Sequence, residues 1–208
     1  MNWTRKSKPG TPAWFKGRHK FEHWYRDNQV YFLTARVRRR LPAFTSEQAK
    51  IIFWRQFDRY TREFGFTPWV TSLLDNHYHT IGYLKVGVNL APMMQRLHGS
   101  VAKLVNDVLE QESVRLKPHC LGRIAPPFWG DKRGKNYMDG CLRDPLQGVR
   151  TYRYVYRQAV RHGLVRDPRD YPHTRVNIEM MPAIRRAEQL DAFLRGVRYR
   201  RYEGDPHP

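Results

Sequence analysis

Two β-like runs separated by a short polar turn constrain the fold of this chain most. The segments 66-FTPWVTSLL-74 and 77-HYHTIGYLK-85 are rich in β-branched and aromatic residues, and Asp75 and Asn76 separate them. Runs of this kind joined by turn-forming residues predict a β-hairpin. We therefore expect two adjacent antiparallel strands in the middle of the chain.

A helix is predicted on each side of this hairpin. The segment 45-TSEQ-48 is a typical helix start, with Thr45 or Ser46 as the N-cap. This helix continues to Gly65, which suits the C-cap position. After the hairpin, residues 89–112 carry apolar side chains at helical spacing.

Strands predicted at residues 30–37 and 137–143 complete the order β, α, β, β, α, β. This order is the split βαβ arrangement. The predicted fold class is therefore α+β, a ferredoxin-like antiparallel sheet with helices on one face, plus basic terminal extensions and a further helix that carries Tyr154. A third helix is predicted from Pro145 to about Gly163, and a last, basic helix over residues 182–202.

The charge of the chain is strongly positive. Lysine and arginine number 38 against 19 acidic residues, which gives a formal net charge of +19. Such an excess favours a polyanionic partner, with nucleic acid first and an anionic membrane surface second. Arginine predominates, and its guanidinium pairs bidentately with phosphate and stacks on bases, so nucleic acid is the better interpretation. A merely solvated basic surface is the alternative.

Length and composition limit the class of protein. The 208 residues suit one domain with short extensions. We expect a basic aromatic arm over residues 1–27, a main domain over 28–175 and a basic helical extension over 176–208. No apolar run approaches the ~18 residues that span a membrane, and the N-terminus lacks a signal-peptide core. The cysteines have no C-x-x-C spacing, which excludes a zinc ribbon.

The second strand of the hairpin carries two histidines on one face. Residues i and i+2 of a strand project to the same side, so His77 and His79 point together while Tyr78 points into the core. Two imidazoles on one rigid strand form a large part of a metal site. Two surface histidines are the commoner reason for a bare H-x-H pattern, so this hypothesis needs partners elsewhere in the chain.

The third predicted helix carries three tyrosines that differ in their position around its axis. At about 100° per residue, Tyr152 and Tyr156 fall on the core-facing stripe. Tyr154 and Gln158 fall on the opposite side, one turn apart. A tyrosine beside an amide oxygen fits a metal-assisted site with a tyrosine nucleophile. An exposed Tyr and Gln on an ordinary helix is the alternative.

Several motifs, in order along the chain, resemble one family. The run 74-LDNHYHTIGYL-84 resembles the histidine–hydrophobic–histidine (HUH) motif of single-tyrosine transposases, above all the REP-associated tyrosine transposases and their insertion-sequence relatives. Three more patterns of that family, Y-x-D-x-x-x-R-D, Y-I-x-x-N-P-V-x-x-G-L-V and D-P-x-D-Y-P, are similar to 137-YMDGCLRD-144, 154-YVYRQAVRHGLV-165 and 167-DPRDYP-172. The resemblance extends over about residues 21–175.

The resemblance implies an enzyme of the bacterial cytosol, associated with the nucleoid, that cleaves and rejoins single-stranded or hairpin DNA. It makes Tyr154 the nucleophile, which forms a 5′-phosphotyrosine and releases a 3′-hydroxyl. It makes His77, His79 and Gln158 the ligands of a divalent metal, Mg²⁺ or Mn²⁺. Gln158 stands where the REP-associated branch usually has Asn and the insertion-sequence branch has Gln. The family includes both monomers and homodimers.

Binding of single-stranded DNA also accounts for the composition, because basic side chains contact phosphates while aromatic rings stack on bases. The residues that we expect to contact DNA lie in the arm, in a basic loop, near the nucleophile and in the tail. They are Arg18, Lys20, Trp24, Lys132, Arg133, Lys135, Arg157, Arg161, Arg198, Arg200 and Arg201. For each of them a solvated basic surface is the alternative.

The chain departs from the family pattern at two positions, and two other functions stay open. Ala159 and Asp75 replace prolines that are usual in the family, and neither change removes a catalytic group. One alternative is a metal-dependent phosphodiesterase that uses water, with Tyr154 incidental. The other is a catalytically idle, domesticated protein that binds hairpin DNA or RNA. We expect His98 to be a structural or surface residue, with a place in the site as the alternative. His119, His162 and His173 are expected at the surface.

Overall fold

The main sheet of the described part has five strands, and five α-helices accompany it. The computed structural model describes residues 25–115, 121–130 and 136–193, together with the backbone of a two-stranded ladder between Trp14–Phe15 and Arg18–His19. The strands of the main sheet are β1 (Gln29–Arg36), β2 (Phe66–Leu73), β3 (His77–Leu84), β4 (Met138–Cys141) and β5 (Thr174–Val176). The helices are α1 (Glu47–Phe64), α2 (Leu90–Arg115), α3 (Pro145–Tyr156), α4 (Gln158–Arg161) and α5 (Met180–Gln189). Short 3₁₀ turns lie at Arg38–Arg40, Gly87–Asn89 and Pro168–Asp170.

The sheet has the strand order β4-β1-β3-β2-β5, and all neighbouring strands are antiparallel. Its first four strands and the two helices α1 and α2 make up the ferredoxin-like arrangement, which confirms the predicted fold class. The hairpin of β2 and β3 is present as expected, with Leu73 opposite Tyr78.

The two ends of α1 show why the chain forms this helix where it does. The Ser46 hydroxyl accepts a hydrogen bond from the backbone N–H of Ala49, which satisfies one of the unpaired donors of the first turn. Gly65 ends the helix in the left-handed conformation, at φ 72°, which costs glycine little because it has no Cβ. Both caps were predicted.

Both faces of the sheet are covered. Helices α1 and α2 pack together over one face, where Tyr31, Tyr78 and Phe53 are fully buried. Helices α3 and α5 cover the other face through Val155 and Ile184. Alternate residues of β3 therefore enter two separate hydrophobic clusters, as the two-residue period of a strand requires.

Three local features differ from the sequence prediction. Strand β5 at the edge of the sheet was not predicted. The third helix is interrupted at Arg157 (φ −94°, ψ 12°), which separates α3 from α4. The last helix ends at Gln189 and Asp191 has φ +58°, so the prediction of one helix through residues 190–193 is wrong; residues after 193 lie outside the described part.

No helix within the described ranges is long and apolar enough to cross a membrane. The predicted boundaries of the arm, the main domain and the C-terminal extension stay predictions.

Candidate active site

The two histidines of β3 lie side by side on the α3 face of the sheet. The ring centroids of His77 and His79 are 5.0 Å apart, and both side chains are buried. Tyr78, between them, is fully buried on the opposite face. The strand thus holds two imidazoles together on one rigid support, as predicted.

Each imidazole is oriented through its Nδ1 atom. His77 Nδ1 lies 2.6 Å from Asn76 Oδ1, and the Asn76 amide nitrogen donates to the carbonyl of Arg40 at 3.2 Å, so Nδ1–H of His77 is the donor. His79 Nδ1 is 2.7 Å from the hydroxyl of Thr34 on β1. Hydrogen bonds at Nδ1 fix each ring and leave Nε2 as the nitrogen for a metal ion or a substrate.

Both imidazoles are neutral at physiological pH. Burial, with smaller contributions from the neighbouring His162, Arg36 and Arg40, lowers the pKa of His77 to about 4. Burial, with His77 and Arg36 among the nearby basic groups, lowers the pKa of His79 to about 3. A histidine must be neutral to coordinate a metal, so the site is poised for coordination without first releasing protons.

Tyr154 of α3 points to the same histidines. Its ring lies edge-on to that of His79, with centroids 5.3 Å apart, and edge-on to Phe32 at 6.0 Å. The guanidinium carbon of Arg161 lies 5.1 Å from the centre of the tyrosine ring. Tyr154 is 37% exposed, so an incoming substrate has access to its side chain.

The other two tyrosines of α3 are placed as the helical wheel predicted. Tyr152 is buried, and its hydroxyl donates to the carbonyl of Ile178 at 2.9 Å. Tyr156 is partly buried against the α3 and α5 cluster. Only Tyr154, among the three, faces the histidines.

Gln158 lies one turn after Tyr154. Its side chain is buried, with 2% exposed, whereas an amide on an ordinary exposed helix face would contact solvent. Its Nε2 donates to the carbonyl of Tyr154 at 3.0 Å, which assigns the nitrogen to the backbone and leaves Oε1 as the potential metal ligand. The wheel did not predict this burial because it assumed an uninterrupted helix. The break at Arg157 and the packing of Ala159 against Leu74 place this turn inside.

Of the residues predicted to contact DNA, the structure brings Arg161 to the site. Arg157, one turn before Arg161, is exposed. Arg18 is described by its backbone alone. The remaining predicted contacts lie outside the described residues; they are Lys20, Trp24, Lys132, Arg133, Lys135, Arg198, Arg200 and Arg201.

The other histidines divide into structural and exposed ones. His98 is buried on the α2 side, stacked on Trp129 at 4.5 Å, which confirms a structural role. The prediction of a surface position for His173 is wrong: it is buried, accepts from Trp54 Nε1 at 3.2 Å and reaches Glu47 at 3.1 Å. His162 is exposed, as predicted, and its ring lies 5.1 Å from that of His77. His119 lies outside the described residues.

Four residues around the histidines were missed by the sequence reasoning: Thr34, Arg36, Arg40 and Asn76. The strand register carried a signal for Arg36, because it lies opposite His77 and two residues beyond Thr34 on β1.

Within the described ranges, no group of three or more His, Cys, Asp or Glu side chains is arranged to hold a metal ion. A metal bound at His77 and His79 would take its other ligands from neutral donors such as the Gln158 amide oxygen, from water or from a substrate. The two neutral imidazoles and this amide match the donor types that Mn²⁺ accepts, and their chemistry fits the predicted metal.

Comparison with known proteins supports the fold. Neither a protein-family model nor a curated protein matches the sequence. A solved structure of a REP-associated tyrosine transposase bound to a REP hairpin does match, over 76% of this chain and 82% of that chain, with 17% sequence identity and a TM-score of 0.55. This chain shares the fold of that transposase. The fold that the resemblance implied is thereby confirmed, while the roles of individual residues stay predictions.

Proposed function

We propose that this protein is a metal-dependent transposase or endonuclease that cleaves and rejoins single-stranded DNA through a covalent tyrosine intermediate. The observation that carries the proposal is the position of Tyr154. It is the one tyrosine of α3 that turns away from the core, and its ring contacts His79 while remaining accessible.

The chemistry proposed for the residues is that of the family that the sequence resembles, and the contacts of the residues support it. The Tyr154 hydroxyl loses its proton to solvent as its oxygen attacks the scissile phosphorus and a Tyr–O–P bond forms. The bond from phosphorus to the 3′ oxygen breaks, and that oxygen takes up a proton from solvent and leaves as a 3′-hydroxyl. Arg161, over the tyrosine ring, supplies positive charge beside the phosphate that is attacked. Attack by a 3′-hydroxyl on the 5′-phosphotyrosine reverses the step and rejoins the DNA.

His77, His79 and Gln158 would hold the divalent metal ion through two Nε2 atoms and one amide oxygen. When bound there, Mn²⁺ or Mg²⁺ supplies Lewis acidity that polarises the scissile phosphate. Asn76 and Thr34 hold the rings in place through Nδ1, which is the usual task of residues around metal-bound histidines.

Hairpin DNA is the proposed substrate. The net charge of +19 favours a polyanion, and the solved structure with the same fold is bound to a REP hairpin. Tyr154 is accessible beside the buried histidines, which suits an unpaired strand at the foot of a hairpin.

A covalent adduct tests this function. Incubation of the full chain with single-stranded hairpin DNA and Mn²⁺ should give a protein–DNA species that resists SDS, and Tyr154→Phe should abolish it. Tyr156→Phe is the matched control, since it removes a hydroxyl two residues away on the same helix, and it should retain the adduct.

The alternatives predict other outcomes of the same experiment. Cleavage without an adduct would indicate a phosphodiesterase that uses water. Binding without cleavage would indicate a catalytically idle DNA-binding protein. An adduct that persists in Tyr154→Phe would show that another residue is the nucleophile.

A further inference from the structure

Arg36 is built into the active-site face of the sheet. It is the last residue of β1, and its Cα is the register partner of the His77 Cα. On the same face of β1, Thr34 hydrogen-bonds His79 and Phe32 contacts the Tyr154 ring. Because alternate residues of a strand share a face, the Arg36 side chain continues this row beside His77.

Arg40 lies in a strained turn whose backbone is tied to Asn76, the residue before His77. Arg39 and Arg40 both have left-handed backbone conformations, with φ +56° and +58°. Each such residue other than glycine costs on the order of 1 kcal/mol. The Asn76 amide holds the turn by donating to the Arg40 carbonyl, and the same amide accepts from His77 Nδ1–H. One asparagine therefore fixes the arginine turn and the histidine relative to each other.

The charges of Arg36 and Arg40 are not neutralised by the part of the chain that the structure describes. Neither forms an ion pair there, whereas Arg96, Arg123 and Arg175 each lie within 4.0 Å of a carboxylate. Arg36 is also partly buried. The charges of both arginines are therefore balanced by solvent or by an anionic ligand, and Arg36, on the same face as the two neutral imidazoles, is placed to receive an anion that reaches them.

We propose that Arg36 and Arg40 form a phosphate clamp that binds the non-bridging oxygens of the scissile phosphodiester, opposite Arg161 on the Tyr154 side. The planar fork of Arg36 pairs with two phosphate oxygens at once, which orients the phosphorus towards the tyrosine hydroxyl. The clamp also offsets the charge that builds up on these oxygens as the new bond forms. This inference rests on the proposed function and adds the substrate-binding residues of the same site.

Binding of a single phosphodiester tests the clamp without any chemistry. The probe is thymidylyl-(3′→5′)-thymidine, added in increasing concentration to the metal-free full chain carrying Tyr154→Phe. Changes in the imidazole NMR signals of His77 and His79 report occupancy of the site. In this background, Arg36→Gln should raise the Kd about tenfold or more, and Arg40→Gln should raise it by a smaller factor.

Two further variants separate the clamp from the general basic surface. Arg59→Gln removes an exposed arginine of α1, on the other side of the sheet, and should leave the Kd unchanged. Arg36→Lys keeps the charge but loses the fork, so its Kd should fall between those of the parent and Arg36→Gln. Circular dichroism and thermal unfolding confirm that each variant is folded.

The rate of adduct formation gives a second readout. With Tyr154 intact and Mn²⁺ present, Arg36→Gln should form the adduct about 100-fold more slowly, as expected when one stabilising donor to a developing oxyanion is lost. Unchanged dinucleotide binding in both Arg36→Gln and Arg40→Gln, or an equal loss in Arg59→Gln, would overturn the clamp.

The two proposals fail in different ways. If the wild-type chain forms no adduct but the dinucleotide binds in a manner that depends on Arg36, the clamp stands and the covalent mechanism falls. If the adduct forms at the normal rate in Arg36→Gln, the covalent mechanism stands and the clamp falls.

Discussion

Each face of the sheet carries a tyrosine–histidine pair, and the two pairs differ in what the tyrosine hydroxyl can do. On the α2 side, the hydroxyl of Tyr78 lies 3.0 Å from His98 Nε2, and both side chains are buried. On the α3 side, Tyr154 meets His79 edge-on and remains 37% exposed. The Tyr78 hydroxyl is occupied by a contact in the core, whereas the Tyr154 side chain remains accessible.

A shifted pKa alone does not identify an active site. Burial lowers the pKa of His98 to about 3, as it does for His79. What separates the two histidines is their surroundings. His98 Nε2 is occupied by Tyr78 and its ring stacks on Trp129, while the Nδ1 contact of His79 with Thr34 leaves Nε2 for a ligand.

His98→Ala and His79→Ala should change different properties, the first the stability of the fold and the second its response to Mn²⁺. His98→Ala should destabilise the fold by about 2–4 kcal/mol, because it removes a buried ring and leaves the Tyr78 hydroxyl without its nitrogen partner. His79→Ala should instead abolish the stabilisation that Mn²⁺ confers, which is about 2.7 kcal/mol for the wild type at 100 times Kd. Thermal unfolding of both variants with and without Mn²⁺ measures this. Loss of the Mn²⁺ shift in His98→Ala would contradict the division between the faces.

Acid should lower the free energy of unfolding through buried histidines on both faces of the sheet. Unfolded histidines bind protons below pH ~6.5, whereas folded His77 does so only near a pKa of about 4, and His79 and His98 near about 3. Their stabilising effect is therefore complete above pH ~6.5 and is lost as the pH falls from there towards the folded pKa values, by about 2 kcal/mol per histidine at pH 5. Denaturant unfolding between pH 7 and 5 measures the slope. His79→Gln and His98→Gln should each flatten it by one proton; a slope that neither variant changes would contradict the neutral, buried state.

The smallest expected effect is the stability cost of removing one hydroxyl from each face. Tyr78→Phe should lower the free energy of unfolding by about 1 kcal/mol, because His98 loses a buried hydrogen-bond partner. Tyr154→Phe should change it by less than about 0.5 kcal/mol, since that side chain is partly exposed. Urea unfolding at pH 7 measures both variants. An equal loss in the free energy of unfolding would contradict the difference between the buried Tyr78 hydroxyl and the accessible Tyr154 side chain.

Periodic features of the sequence predicted most of the fold and the centre of the site. The strand period placed His77 and His79 on one face and Tyr78 on the other, and the helical period separated Tyr154 from Tyr152. These assignments succeed because they depend on local geometry alone.

Features that depend on contacts distant in sequence were not predictable. His173 is buried because Trp54, 119 positions earlier, donates to it. Strand β5 has three residues and no periodic pattern, so its pairing with β2 arises from the tertiary structure. The burial of Gln158 depends on a single interrupting residue, Arg157, which no turn signal marks.

The register of β1 against β3 couples the two faces of the sheet. A slip of the whole of β1 by one residue would turn Thr34 and Arg36 away from the histidines and, in the same step, turn Tyr31 and Leu33 out of the opposite cluster. A register error in this strand therefore disrupts the hydrophobic core and the histidine face together.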